Sequence, residues 1–184
     1  MKMARAAALS LLVLLLAVGP SLALQVKTDH DPNYDFTKVH TFYAKIGTGW
    51  GNSISEKNVV TTVENALIKK GWAKADEASA DAQVILHGSS QQKQDLQTFY
   101  SGYGGWGYGG WGGVGIGTAT TTAYTYVEGT LLIDIFDSKA KELIFRGSAT
   151  DTISGKQEKN QKTLNKALNK IFYDFPPAPA KPKK

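Results

Sequence analysis

Val127-Glu128-Gly129-Thr130-Leu131-Leu132-Ile133-Asp134-Ile135-Phe136, followed by Asp137-Ser138-Lys139-Ala140-Lys141 and then Leu143-Ile144-Phe145-Arg146-Gly147-Ser148-Ala149, decides the fold. The first run alternates with a period of two, as a half-buried strand does. Val127, Leu131, Ile133 and Ile135 share one face, with Gly129 leaving a gap. Glu128, Thr130 and Asp134 share the other. The five residues from Asp137 turn the chain, and Leu143, Phe145, Gly147 and Ala149 line one face of a return strand. Ile144, Arg146 and Ser148 fall on its opposite face. The pair reads as an antiparallel hairpin, the first strand reaching back to Thr120.

The rest of the chain is arranged around this hairpin. Upstream, Gln25–Asp31 alternates as a strand, Pro32-Asn33-Tyr34-Asp35 is turn chemistry, and Val39–Ala44 is a β-branched and aromatic second strand. A loop spans 47–52. Ser53-Ile54-Ser55-Glu56 fits a capping box that opens a helix. Val59, Val60, Val63, Ala66 and Leu67 recur at helical spacing, and Gly71 suits the position just past the helix end. Asp81–Ser89 is a further strand. Downstream, residues 157–173 make a second helix, with Leu164, Ala167, Leu168 and Ile171 as its apolar stripe and Lys159, Lys162, Lys166 and Lys170 on its wet face. The order is ββαβββα. Two amphipathic helices cover one face of a sheet, so the expected class is α+β: a two-layer sandwich of about five mostly antiparallel strands with both helices on one side.

The ends differ from the body. Lys2 and Arg5, the apolar run Leu9–Val18, the breaker Gly19-Pro20 and the small-x-small triplet Ser21-Leu22-Ala23 compose an export signal cut after Ala23. The apolar run is shorter than the roughly 20 residues a spanning helix needs. Residues 24–177 are one domain and 178–184 a Pro/Lys-rich tail without apolar periodicity, expected to be mobile. The chain has 21 Lys and Arg against 16 Asp and Glu. Without the signal's two basic residues and the tail's three lysines, the body has 16 of each, so its net charge is zero. A neutral body lacks the field a nucleic-acid binder uses, and no nucleic-acid partner is expected. The chain contains no cysteine. That excludes disulfides, thiol nucleophiles, cysteine-held metals and a lipid anchor on cysteine.

The oddest stretch is Phe99–Gly117, in which ten of 19 residues are glycine and six aromatic. So much glycine is costly to order, and only burial of the rings against something recovers it. It reads as a flexible connection, as a contact surface, or as a self-association segment through stacked rings. Tyr100, Tyr103, Trp106, Tyr108 and Trp111 are its candidate contact residues, each a flat apolar body, the Tyr and Trp rings with a polar handle. Gly102–Gly107 matches G-x-G-x-x-G, but no helix follows to hold a pyrophosphate. His30, His40 and His87 are too scattered for a metal site. Glu128 and Asp134 stand about 20 Å apart along their strand, too far for a paired acid and base, and Arg146 is placed to neutralise one of them. Glu128, Asp134 and Arg146 are the candidate polar face of the sheet. No catalytic residue, cofactor or metal is expected. The Lys159–Lys170 face reads as solvated, though it suits an acidic surface.

Asp29–Phe36 with Thr41-Phe42-Tyr43, then Leu67–Trp72, Asp81–Val84, Glu128–Asp137, Leu143–Gly147 and Ile171–Pro177, carry a resemblance. Together they resemble the domain-of-unknown-function 4136 family of bacterial envelope proteins over residues 25–177. The resemblance implies export and one compact domain. Many members look like lipoproteins, a feature that this cysteine-free chain does not share. No activity or catalytic residue follows from it.

The functional expectation is an exported, non-enzymatic cell-envelope module, periplasmic or outer-membrane-associated. Its contact element is the Gly/Trp/Tyr-rich insert, and its partner an envelope protein, a glycan or a membrane interface. The alternatives are a hydrolase-like enzyme acting on an envelope polymer and a self-assembling surface protein.

Overall fold

The computed structural model describes residues 24–101 and 118–178. The expected signal (1–23), the glycine-rich tract from residue 102 onward and nearly all of the tail lie outside them. The elements in order are β1 (Gln25–His30), a 3-10 turn (Phe36–Lys38), β2 (Thr41–Thr48), α1 (Ser53–Lys69), β3 (Ala73–Lys74), β4 (Ala82–Ser101), β5 (Thr118–Asp137), β6 (Leu143–Ile153) and α2 (Gln157–Ile171). The six strands form one sheet in the order β1-β6-β5-β4-β2-β3. β1/β6, β6/β5 and β5/β4 are antiparallel. β4/β2 and β2/β3 are parallel. The class is therefore α+β with two helices, but the sheet is mixed and has six strands where five were expected. Parallel neighbours need a crossover, and α1 supplies the one between β2 and the strands that follow it. The unexpected β3 is too short to alternate. It forms because Trp72 is buried at 4% exposure, which leaves the Ala73 amide beside the His40 carbonyl at 2.8 Å.

The core lies between the helices and one sheet face. Val63 and Leu67 of α1 and Ala167, Leu168 and Ile171 of α2 join Phe42, Val84, Leu86, Ile133, Ile135, Phe145 and Ala149 in a single cluster. The alternation read from residues 127–149 is thus the alternation observed, except at the start of β6, where Leu143, expected on the core face, is 38% exposed. Ile144 belongs to the core, at 1% exposure, rather than to the open face. The β5/β6 register slips between Ile135↔Phe145 and Phe136↔Leu143. Ile144 is the extra residue of that bulge, and a bulge re-aims the side chain it inserts.

The start of α1 also differs from expectation. Asn52, not Ser53, is the cap, its side chain accepting from the Ser55 amide at 3.0 Å. Glu56 reaches further back, accepting from the amides of Trp50 (2.8 Å) and Gly51 (3.1 Å). The C-terminal end follows the sequence reading. Gly71 takes φ +95°, a conformation that costs glycine little. The Gly71 amide donates to Ile68 and the Trp72 amide to Leu67, closing a Schellman motif.

Aromatic rings close one end of the core. Phe175 stands 4.9 Å from Trp72, 5.0 Å from Phe145 and 5.2 Å from Phe172, in edge-on contacts. Tyr34 packs 5.0 Å from Phe36 and donates its hydroxyl to Asp137 Oδ2 at 2.6 Å. Burial and that carboxylate hold the Tyr34 phenol well above its ordinary pKa. In turn the Tyr34 hydroxyl, with the Ala140 and Lys139 amides, holds Asp137 below the usual carboxylate range. Asp81 is lowered too, by the Thr41 hydroxyl and the His40 and Thr41 amides that its Oδ2 accepts from. In both carboxyls the fold favours the ionised form. Their stabilisation is therefore complete above the unfolded value of about 4 and lost as pH falls through the folded pKa. The double variant Asp81→Asn, Asp137→Asn should lose less unfolding free energy between pH 7 and pH 3 than the native chain. Urea titrations at the two pH values check this, and parallel losses would refute it.

Candidate functional site

Three features compete for the role of functional site, and the first is the sheet face away from the helices. Asp134 and Arg146 are directly opposite in the β5/β6 register. The guanidinium forks onto the carboxylate, Nε to Oδ1 and Nη2 to Oδ2, both at 2.6 Å. Asp134 is buried while the Arg146 side chain is half exposed. The Asp134 carboxylate raises the Arg146 pKa, and Asp29, across the β1/β6 register, adds to that field. Glu128 lies further along β5 and pairs with Lys93 of β4 at 2.5 Å. Thr130 and Thr150 share a hydroxyl hydrogen bond at 2.9 Å. The structure therefore brings Asp134 to Arg146 and gives Glu128 a separate partner. Bidentate arginine pairs are strong and geometrically fixed, so these groups tie strands together and leave no carboxylate poised beside another.

The second feature is the long hairpin. β6 accompanies β5 only as far as Val127↔Ile153, and β2 accompanies β4 only as far as Thr48↔His87. β4 and β5 continue together from Lys93↔Tyr126 to Ser101↔Thr118, nine further residue pairs. At about 3.3 Å per residue this ribbon reaches about 30 Å past the sheet. Tyr124 on it is 53% exposed. Tyr100 falls within β4, opposite Ala119, so the insert begins later than residue 99. Tyr103, Trp106, Tyr108 and Trp111 lie outside the described residues, but the chain leaves for them at Ser101 and returns at Thr118.

The third feature is a cleft of about 520 Å³ between the N-terminal halves of α1 and α2, floored by β4, β5 and β6. Trp50, Val59, Leu131, Ile153 and Leu164 supply its apolar walls, and Asp151 is the one charged group among the described residues lining it. Trp50 is pinned by its indole Nε1 donating to Ser55 Oγ at 3.2 Å. Its ring lies against Gly88, where any Cβ would overlap it. Sequence reasoning missed this cleft, because its parts come from five separate segments. The one available signal was a pair of glycines, Gly88 and Gly129, inside strands.

The histidines are dispersed. His30 and His40 are exposed, and His87 Nδ1 meets Thr48 Oγ1 at 2.9 Å. Among the described residues no three His, Asp or Glu side chains converge as metal ligands would. No helix there is long and apolar enough to cross a membrane.

The family model called domain of unknown function DUF4136 matches residues 26–177, from β1 to the prolines after α2. The chain belongs to that family. No curated protein sequence matches it significantly. Among solved structures, this DUF4136 chain is similar to a PDZ domain protein from Parabacteroides distasonis, with 15% identity and a TM-score of 0.52. That match covers 84% of this chain but 36% of the other, so the chain spans about a third of its neighbour's length. A PelC dodecamer from Paraburkholderia phytofirmans has 10% identity and a TM-score of 0.48, covering 82% of this chain and 95% of that one. At such identities the likeness to the first speaks for the fold alone.

Proposed function

We propose that this DUF4136 protein is an exported binding module of the bacterial cell envelope, periplasmic or outer-membrane-associated, and that its hairpin arm presents the Gly/Trp/Tyr tract to an envelope partner. The observation that carries this reading is the arm itself. A two-stranded ribbon gains little stability from its own packing, so an extension of nine residue pairs is a costly way to join two strands unless its tip must reach something. Tyr and Trp rings at such a tip offer large contact area with a polar handle. The signal-like first 23 residues support export. The paired charges of the sheet face weigh against the hydrolase alternative, which needs Glu128 or Asp134 available to a substrate.

The test is a chain in which residues 102–117 are replaced by a short turn, compared with the native chain in an exporting host. The expected result is an unchanged circular dichroism spectrum and melting temperature, with most of the envelope association lost on cell fractionation. Retained association would exclude the tract as the contact element. Unfolding of the variant would show that the tract belongs to the core.

A further inference from the structure

The ribbon that carries the tract has two edges of its own. Once β2 ends at His87 and β6 at Val127, no third strand lies beside residues 91–94 of β4 or 122–126 of β5 among the described residues. A strand edge in this state presents a row of backbone donors and acceptors to any strand that approaches. Proteins that keep such edges apart place charges, prolines or bulges on them. Residues 118–127, Thr-Ala-Thr-Thr-Thr-Ala-Tyr-Thr-Tyr-Val, contain no charge and no proline. On β4 the only charges between 91 and 101 are Lys93 and Asp95, and Lys93 is engaged by Glu128 of β5, just inside the sheet. The β4/β5 pairing runs residue for residue without a bulge over its whole length.

The two edges also match each other. They lie on opposite sides of the ribbon and run in opposite directions. Setting the β4 edge of one copy against the β5 edge of the next repeats the antiparallel pairing already present inside each ribbon, with every globular body on the same side. We infer that the ribbon pairs edge to edge with a second copy of this chain, β4 against β5, head to tail. Such a contact is heterologous: each added copy leaves one edge at either end of the row, until the row closes into a ring. A bilayer is the poorer occupant. A strand facing lipid needs an apolar residue at every second position, whereas both alternating sets of 92–99 are mixed: Gln, Gln, Leu, Thr and Lys, Asp, Gln, Phe. The inference is independent of what the tip touches.

The absence of native cysteine makes a cross-linking test clean. Full-length chains carrying Gln94→Cys are mixed with chains carrying Thr125→Cys and oxidised, with Gln92→Cys and Ala123→Cys to scan the register. Mixed disulfide dimers should form, and each variant alone should yield few. In sedimentation the native protein should shift to larger species as its concentration rises. A chain whose residues 92–127 are replaced by an Asn-Gly turn should stay monomeric. Replacing residues 102–117 alone should leave assembly intact, even where it abolishes envelope association. A native protein that is monomeric at every concentration overturns the inference. So does assembly that survives loss of the ribbon, a predominance of like-with-like disulfides, or cross-links solely to a different protein. If the ribbonless chain fails to fold, the disulfide pattern decides by itself.

Discussion

Replacing Phe172 by alanine should lower the unfolding free energy by about 3–5 kcal/mol, the range for truncating a buried aromatic. Phe172 is 1% exposed. It stacks on Phe145 with ring centres 6.0 Å apart and meets Phe175 edge-on at 5.2 Å. Its loss empties a site walled by α2, β6 and the segment after the helix at once, so none of the three can collapse inward without dragging the others. A typical domain has about 5–15 kcal/mol in total, and the variant should melt roughly 10 °C lower. Thermal and urea unfolding followed by circular dichroism measure it. A cost below about 1 kcal/mol would mean that the ring cluster is not the part of the core that closes this end of the molecule.

The second large effect is an asymmetry across the β5/β6 hairpin. Arg146→Met should cost about 2–4 kcal/mol, because it strands a carboxylate that is 4% exposed with no cation to answer it. Asp134→Leu should cost about 1 kcal/mol or less, because the Arg146 side chain it abandons is 49% exposed and water can take over. The double variant, apolar on both strands, should recover much of the loss. Urea titrations of the two single variants and the double variant close the cycle. Equal costs for the two single changes would sink the account, since they would show that the burial difference between the partners has no energetic weight.

What the sequence shows and what it conceals divide along physical lines. α1 and α2 were legible because Val63 and Leu67, and Ala167, Leu168 and Ile171, bury at helical spacing against a shared core. That Arg146 answers a carboxylate across the hairpin was legible from the alternation, but which one was not, because the bulge at Ile144 shifts the register by one residue and sets Asp134 opposite Arg146. The outer half of β4 was hidden. Gln91-Gln92-Lys93-Gln94-Asp95 has no apolar alternation, since a ribbon held by backbone pairing buries too little to need one. Ile144 was misplaced because a bulge breaks the period of two, and sequence alternation carries no mark of a bulge. The cleft was invisible for a different reason: it is the product of tertiary approach, with Trp50 laid on Gly88 from a loop that sequence reading takes as mere connection. The proposed contact residues rest on composition alone, as rings set in glycine, and the paired strands on either side of that tract carry no comparable mark in the sequence.

One arrangement in the sheet has a temporal meaning. Among the described residues β1 holds the outermost place and has β6 as its sole neighbouring strand, Gln25 lying against Thr150 and His30 against Phe145. A polypeptide that emerges amino end first produces β1 before the other strands described and the strand it pairs with after all of them. Joining ends so far apart along the chain carries a loop-closure cost that only the assembled centre can offset. The earliest strand of this sheet along the chain thus waits for the latest, and until the two meet, β6 keeps an open margin.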